Sequence, residues 1–396
     1  MMSQISLTPY YLINKQALDK AVEELNQAIS RHWSNTVVGY SFKTNSLPWL
    51  VQYMKGKGLF AEVVSDDEYN LAVYLGYKDE EIIYNGLAKS KETLLSVIKK
   101  KGFANIDSNY EIDWLLDLPK SERYKVGIRV NFDLEKECPG ETSYGEEGSR
   151  FGFCVDNGDL YKAIERINGL GNVEVVGFHM HTSTRTRSLN VFKTLAIKAC
   201  ELAEHFKLSL SYVDIGGGFF GGLEDKPNFN NYMETISSVL KKYYSPDELT
   251  LIVEPGVSII GPYISYVTSV VDIKNTTKNK FVITDGSRIH IDTRMTKTEY
   301  SKDLLYCSDD NREEIPEQIV CGFTCMEADR IVTLENTREL RIGDKIVFHK
   351  VGAYTLSLAP LFIKYFPDVY VEDESQMELV RKRWSFEEYS RNSIIK

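Results

Sequence analysis

From Val37 to about Gly256, short β-branched apolar runs alternate with longer stretches whose apolar residues recur every three or four positions. Parallel strand–helix–strand units produce this pattern. The strand candidates are Val37 to Lys43, Phe60 to Ser65, Ile82 to Gly86, Phe103 to Ser108, Val126 to Asn131, Val175 to Met180, Tyr212 to Gly216 and Leu251 to Gly256. Helical stretches at Asp66 to Leu75, Lys91 to Lys101, Glu111 to Leu118, Leu160 to Ile167, Leu189 to Phe206 and Tyr232 to Tyr244 separate most of them. An open doubly wound sheet shares this α/β alternation, but eight strands is the count that closes a (β/α)8 TIM-type barrel. Beyond Pro262 the runs turn strand-like with little helix, as in YISYVTSVVDI, KFVITDGS and DKIVFHKV. Polar and apolar residues alternate there beside turn glycines, which predicts a second, all-β domain of antiparallel strands, sandwich- or barrel-like. The expected division is a barrel over 36–262 and the β domain over 263–396, joined by the segment 1–35.

Composition narrows the partners. At ~150 residues per domain, 396 residues make two to three domains, and 43% hydrophobic with 26% charged residues is ordinary for a folded globular chain. The balance of 47 basic against 57 acidic residues, net −10, offers no basic excess to a nucleic-acid backbone. Six scattered cysteines without CxxC pairs read as reduced thiols. Without a basic-then-apolar leader in MMSQISLTPYYLINK or a run of ~18 apolar residues, a cytoplasmic protein without membrane contact is expected.

Candidate chemistry gathers at the C-terminal strand ends, the barrel face where loops assemble a site. The first strand ends in YSFKTN, and Lys43 there needs pairing, neutralisation or access to solvent; a Schiff-base role and a solvent-reaching ammonium both fit. In GFHMHTST the period-two spacing points His179 and His181 to one side. No third ligand stands at suitable spacing, so no metal is expected; a hydrogen-bonded pair or stacking on a flat cofactor remains. DIGGGF exposes the N–H groups of Gly216, Gly217 and Gly218 to a phosphate, or simply makes a tight turn. VEPG places Glu254 at the same mouth, as partner of a ring nitrogen or as a salt-bridged core residue. Lysine, histidine, glycine cradle and carboxylate in this strand order are together the contacts that pyridoxal 5′-phosphate requires.

With these motifs the chain resembles the fold-type III pyridoxal-phosphate decarboxylases, the group that includes ornithine, diaminopimelate and carboxynorspermidine decarboxylases, with an alanine-racemase-like architecture. Matches run from Thr8-Pro9-Tyr10 to Gly352-Ala353-Tyr354-Thr355. The resemblance makes Lys43 the Schiff-base lysine, Glu62 in AEVVS its neighbour, and His181 the stacking ring. It places Thr184 and Gly216 to Gly218 at the phosphate, Glu254 at the ring nitrogen, and Arg129 in GIRVN and the Ser149-Arg150-Phe151-Gly152 motif near the site. It also implies a cytoplasmic homodimer of amino-acid or polyamine metabolism with shared sites, in which CGFTCMEAD reaches the neighbouring subunit. Cys325 then assists protonation of the product, and Tyr354 contacts the cofactor.

The departures concern substrate. Met326 stands where family members carry an acid after the cysteine, with Glu327 one position later, and Val257 replaces an arginine common after EPG. Arg185 and Arg187 follow HTST, fitting a carboxyl-bearing substrate or a solvated loop. The expected activity is removal of the α-carboxylate of a small diamino or carboxyl-bearing amino acid as carbon dioxide. An amino-acid racemase and a non-catalytic pyridoxal-phosphate-binding regulatory protein are the alternatives; Glu254 opposes the first, and retention of Lys43, Glu254 and Cys325 opposes the second.

Overall fold

The computed structural model describes residues 7–308, 311–374 and 376–394. The chain divides into two compact units, one spanning Ala21–Ile259 and the other formed by residues up to Lys20 together with Ile260 onward.

The first unit holds the expected barrel. Its strands are β1 (Thr36–Ser41), β2 (Phe60–Val63), β3 (Ile82–Tyr84), β4 (Phe103–Ile106), β5 (Tyr124–Asn131), β6 (Val173–His179), β7 (Tyr212–Asp214) and β8 (Thr250–Val253). Every neighbouring pair is parallel, and β8 pairs with β1, so the ring closes. The strands read as nearly continuous apolar runs because helices cover the outside of the ring. Each crossover contains a helix. The one after β1, Pro48–Gly56, escapes the periodicity reading because PWLVQYM offers almost no polar face; Leu50, Val51 and Met54 are buried. Proline at its first position suits a helix start. The helix Lys15–His32, within the segment taken as a joining stretch, buries Leu18, Ala21, Val22 and Leu25 at helical spacing.

The barrel interior is partly polar. The Tyr212 ring lies so close to β5 and β6 that a Cβ at Gly177 would stand 2.2 Å from it, and one at Gly127 would stand 2.1 Å from its hydroxyl oxygen. Glycine is therefore required at both positions. Tyr212, at the start of β7, packs with Ile83, Val176 and Ile252.

The second unit is built on a nine-stranded sheet with two short helices, Arg288–Ile291 and Phe386–Ser390. The sheet is mixed, which corrects the expectation of antiparallel strands alone. Strand Tyr10–Asn14 runs antiparallel to Ile264–Asn275 and parallel to Asp368–Asp373, and Lys280–Thr284 runs parallel to Glu314–Cys321. The chain's first strand is thus interior to this sheet, with Tyr10 and Leu12 packed on Val267 and Val347. Among the described residues, no helix is long and apolar enough to cross a membrane.

Candidate active site

The strand ends deliver their polar residues into one cluster. After β1 the chain turns through one 3-10 turn, Phe42–Thr44, which buries Phe42 and Thr44 and leaves the Lys43 side chain 36% exposed. Glu62, the third residue of β2, is in register with Ser41. Its Oε2 accepts from Lys43 Nζ at 2.6 Å and from the Ser41 hydroxyl. The ammonium is thereby paired with a buried carboxylate, which offsets its desolvation.

The residue after β3 is Asn85, which the sequence reading did not single out. Its Nδ2 donates to Glu62 Oε1 at 3.1 Å and to Glu254 Oε1 at 2.6 Å. Glu254 directly follows β8 and is 4% exposed. The signal for Asn85 was present, since IIYNG ends a strand as VEPG does.

The two histidines share one side of β6, as the spacing predicts: their rings are nearly parallel, 12° apart, with centroids at 6.2 Å. Gly217 N–H donates to His181 Nδ1 at 3.3 Å, which leaves the neutral ring its hydrogen on Nε2. Desolvation holds the His181 imidazole well below its usual range, opposed by Glu254 and reinforced by the Arg129 charge. His179 is buried, and desolvation pushes its imidazole well below the usual range too; neither ring nitrogen has a hydrogen-bond partner among the described residues, and Nε2 lies 3.7 Å from Glu254 Oε2. Asp214 ends β7 and accepts from Gly216 N–H at 2.8 Å. Burial, and then the neighbouring Glu254, raises the Asp214 carboxyl far above the ordinary carboxylate range. The Glu254 carboxylate, with an oxygen within 4.8 Å, thus adds to burial in favouring the protonated form of Asp214.

Arg129, in β5, is held at both ends. Its Nη1 donates to Asp107 Oδ2 at 3.3 Å and its Nη2 to the His181 carbonyl at 3.2 Å, while its guanidinium lies 4.2 Å from the Phe151 ring centroid. This brings the Ser149–Gly152 motif to the same mouth. Behind Asp107 a second pair is sealed in: Lys89 Nζ donates to Glu111 Oε1 and Oε2 at 2.9 and 3.0 Å and to the Gly86 carbonyl, and Asp107 N–H donates to Glu111.

Lys43, Glu62, Arg129, His181, Gly216, Gly217 and Glu254 therefore meet. Thr184 and Arg185 contact the segment 135–144 instead, Thr184 in a bridge with Thr142 and Arg185 N–H on the Glu141 carbonyl. Arg187 places its guanidinium 5.3 Å from the Phe220 ring centroid, and its carbonyl accepts from the Tyr232 hydroxyl. Cys325, Met326, Glu327 and Tyr354 belong to the other unit. Cys325 is exposed on the loop after Cys321, and buried Asp329 organises that loop by accepting from Ser287, Arg288 N–H and Thr324. Glu327 pairs with Arg330 at 3.0 Å. Tyr354 has a left-handed φ of 57° and offers its carbonyl to Thr293.

The residues fit the expected cofactor. A Cβ at Gly216 would stand 2.4 Å from the His181 ring and one at Gly217 1.9 Å from the Glu254 carbonyl oxygen, so the turn beneath the histidine admits only glycine. Gly218 has φ +100° and open space where its side chain would be. An amine, an imidazole, an open glycine turn and a carboxylate are the donor set for an aromatic aldehyde phosphate. His179, Asp214 and Glu254 also bring three possible ligand atoms within 4.8 Å of one another. Spacing in the sequence does not show this grouping, because the two carboxylates come from β7 and the end of β8. A cation there would compete for Glu254.

The chain matches the family model described as pyridoxal-dependent decarboxylase, pyridoxal binding domain, over residues 17–261. The probable chloroplastic diaminopimelate decarboxylase of Oryza sativa subsp. japonica is 28% identical, covering 96% of this chain and 79% of that protein. Diaminopimelate decarboxylase of Aquifex aeolicus is 25% identical, over 96% of this chain and 90% of its own. Among solved structures, M. jannaschii diaminopimelate decarboxylase in complex with L-lysine superposes with a TM-score of 0.85 at 23% identity, covering 98% of this chain and 92% of that one. The Paramecium bursaria Chlorella virus arginine decarboxylase gives 0.78 at 20% identity, over 94% and 98%.

Proposed function

For a chain that belongs to the pyridoxal-dependent decarboxylase family, we propose α-decarboxylation of an amino acid whose far end carries a carboxylate. The enzyme is a pyridoxal-phosphate-dependent amino-acid decarboxylase; the proposal concerns its substrate, its site residues and its assembly. The observation that carries the substrate reading is Arg187. Its guanidinium rests on Phe220, two residues beyond Gly218, its carbonyl is fixed by Tyr232, and no carboxylate lies within ion-pair distance among the described residues. Met326 supports the same reading, because it cannot hold a distal ammonium as an acid would. Relatives named for diaminopimelate, a diamino diacid, are compatible with a carboxylate contact.

The cofactor, when bound, supplies the sink for the electron pair left by departing carbon dioxide. The protein supplies the rest. Lys43 provides the amine that holds the cofactor, and Glu62 holds the proton at Lys43 Nζ. His181, whose imidazole burial holds neutral, would stack on the cofactor ring without adding positive charge. Glu254 would hold the ring nitrogen, beside an Asp214 carboxyl that burial and then Glu254 raise far above the ordinary carboxylate range. Arg129 fixes the His181 backbone. Gly218, with open space where a side chain would stand, would leave room for the phosphate, while Gly216 and Gly217 pack the turn against His181 and Glu254.

Return of a proton to the product carbon falls to Cys325 of a second copy, in a homodimer with shared sites acting in the cytoplasm. Support comes from the exposure of Cys325 and from six unpaired thiols. Mixing inactive Lys43→Ala and Cys325→Ala subunits then restores partial activity; no recovery overturns the shared site. The substrate reading is tested by carbon dioxide release from basic, acidic and carboxyalkylated amino acids. Diacids are expected to turn over fastest, with Arg187→Ala raising their KM. Faster turnover of ornithine or lysine than of any diacid overturns it.

A further inference from the structure

A file of polar side chains crosses the barrel interior to the two site carboxylates. Tyr212, at the start of β7, donates its hydroxyl to Asn105 Oδ1 at 2.9 Å. Asn105, on β4, donates Nδ2 to Asn85 Oδ1 at 2.9 Å. Asn85 then divides its Nδ2 between Glu62 Oε1 at 3.1 Å and Glu254 Oε1 at 2.6 Å. All these side chains are buried: Tyr212 is 4% exposed, Asn85 3%, Asn105 and Glu62 1%, and Glu254 4%. The direction of each amide is fixed, since flipping Asn85 would set its oxygen against two carboxylates and its NH2 against that of Asn105. Every donor therefore points the same way, and bonds so aligned polarise one another. Space for the file exists because Gly127 has no Cβ; one there would stand 2.0 Å from Asn105 Oδ1.

We propose that Asn85 is a positioning residue that locks Glu62, the partner of Lys43, and Glu254, the partner of the ring nitrogen, into one unit, with Tyr212 and Asn105 fixing its amide. The two carboxylates arrive on β2 and β8, on opposite sides of β1, and the Asn85 amide ties them directly to each other. The assignment rests on the roles proposed above for Glu62 and Glu254, but its test does not depend on which amino acid is decarboxylated.

Asn85→Ala, Tyr212→Phe and the double variant are compared as cofactor-loaded enzymes on the best substrate of the panel. Asn85→Ala is expected to lower kcat by ~10–100-fold, the range for lost partners of site ligands, with KM within a few-fold and a shifted absorption band of the bound cofactor. Tyr212→Phe keeps the ring and removes one hydrogen bond, so a loss of roughly 2- to 10-fold is expected. The double variant should be no slower than Asn85→Ala, because the file is already broken at its last link. Multiplying effects, or losses confined to melting temperature with kcat and the absorption band unchanged, overturn the proposal. If Asn85→Ala fails to fold, Tyr212→Phe decides alone: an unchanged kcat and spectrum refute the file. Loss of cofactor binding in Lys43→Ala is the separate control; its retention would sink the underlying site assignment instead.

Discussion

Two lysine–glutamate pairs stand in the barrel unit, Lys43 following β1 and Lys89 following β3, and only one is built for chemistry. Lys89 and Glu111 are both fully buried. The Lys89 ammonium gives its donors to Gly86 and to both Glu111 oxygens, and Glu111 in turn accepts from Asp107 N–H. Burial lowers the Lys89 ammonium and raises the Glu111 carboxyl, so each is pushed toward its neutral form. Lys43 differs in keeping 36% exposure while its partner Glu62 is almost wholly enclosed and also bonded to Ser41 and Asn85. A buried ion pair is thus no mark of a reactive lysine. Access on the amine side, with a carboxylate held from behind, is what separates the site from the scaffold.

The largest effect should separate the pairs outright. Lys43→Ala is expected to abolish turnover together with the borohydride-bleachable absorbance of the bound cofactor; if Lys89→Ala also removes that absorbance from folded protein, the distinction fails. Lys89→Ala should instead cost about 3–5 kcal/mol of stability in denaturant titration, because it leaves the buried Glu111 without its partner. The apolar replacement Lys89→Met with Glu111→Leu should recover much of that loss, and an equally unstable double variant would show that the pair does more than fill the core. Glu254→Gln should retain cofactor but lose about 2.7–4 kcal/mol in turnover, the scale of one preorganised electrostatic contact; an undiminished kcat would remove Glu254 from the reaction.

The smallest effect concerns Glu68, which burial raises from 4.5 to about 7, opposed by its bond from Val64 N–H. A carboxyl whose folded value is raised contributes stability in full below its unfolded value and loses it as pH climbs through the folded one. Wild-type stability should therefore fall between pH 4.5 and 7 by a component absent from Glu68→Gln, so the variant gains on wild type at pH 8 and not at pH 4.5. Parallel stability curves would contradict this.

The barrel was legible because its strands are buried on both faces and its helices are amphipathic, so period alone separates them. Pro48–Gly56 was missed for the converse reason: a helix with almost no polar face has no period to read. Lys43, His181, the glycines and Glu254 could be named because strand ends in a barrel converge, whereas Glu62 came only from the family resemblance. Asn85 was readable by the same strand-end position in IIYNG, but Asn105 and Tyr212 were not, since their role depends on side chains meeting across the ring, a relation carried by register rather than by spacing along one strand. Asp214 was quoted only as the start of DIGGGF; its raised carboxyl arises from burial and then from Glu254, forty residues away in sequence. The parallel pairing of Tyr10–Asn14 with Asp368–Asp373 was invisible for the same reason.

That pairing sets an order on synthesis. As the chain leaves the ribosome, all eight barrel strands have emerged by Val253, but YYLIN still lacks the Asp368–Asp373 edge it will lie against. An apolar ribbon must stay unclaimed while more than two-thirds of the polypeptide is made, and premature termination before Asp368 would leave that ribbon without one of its two flanking strands.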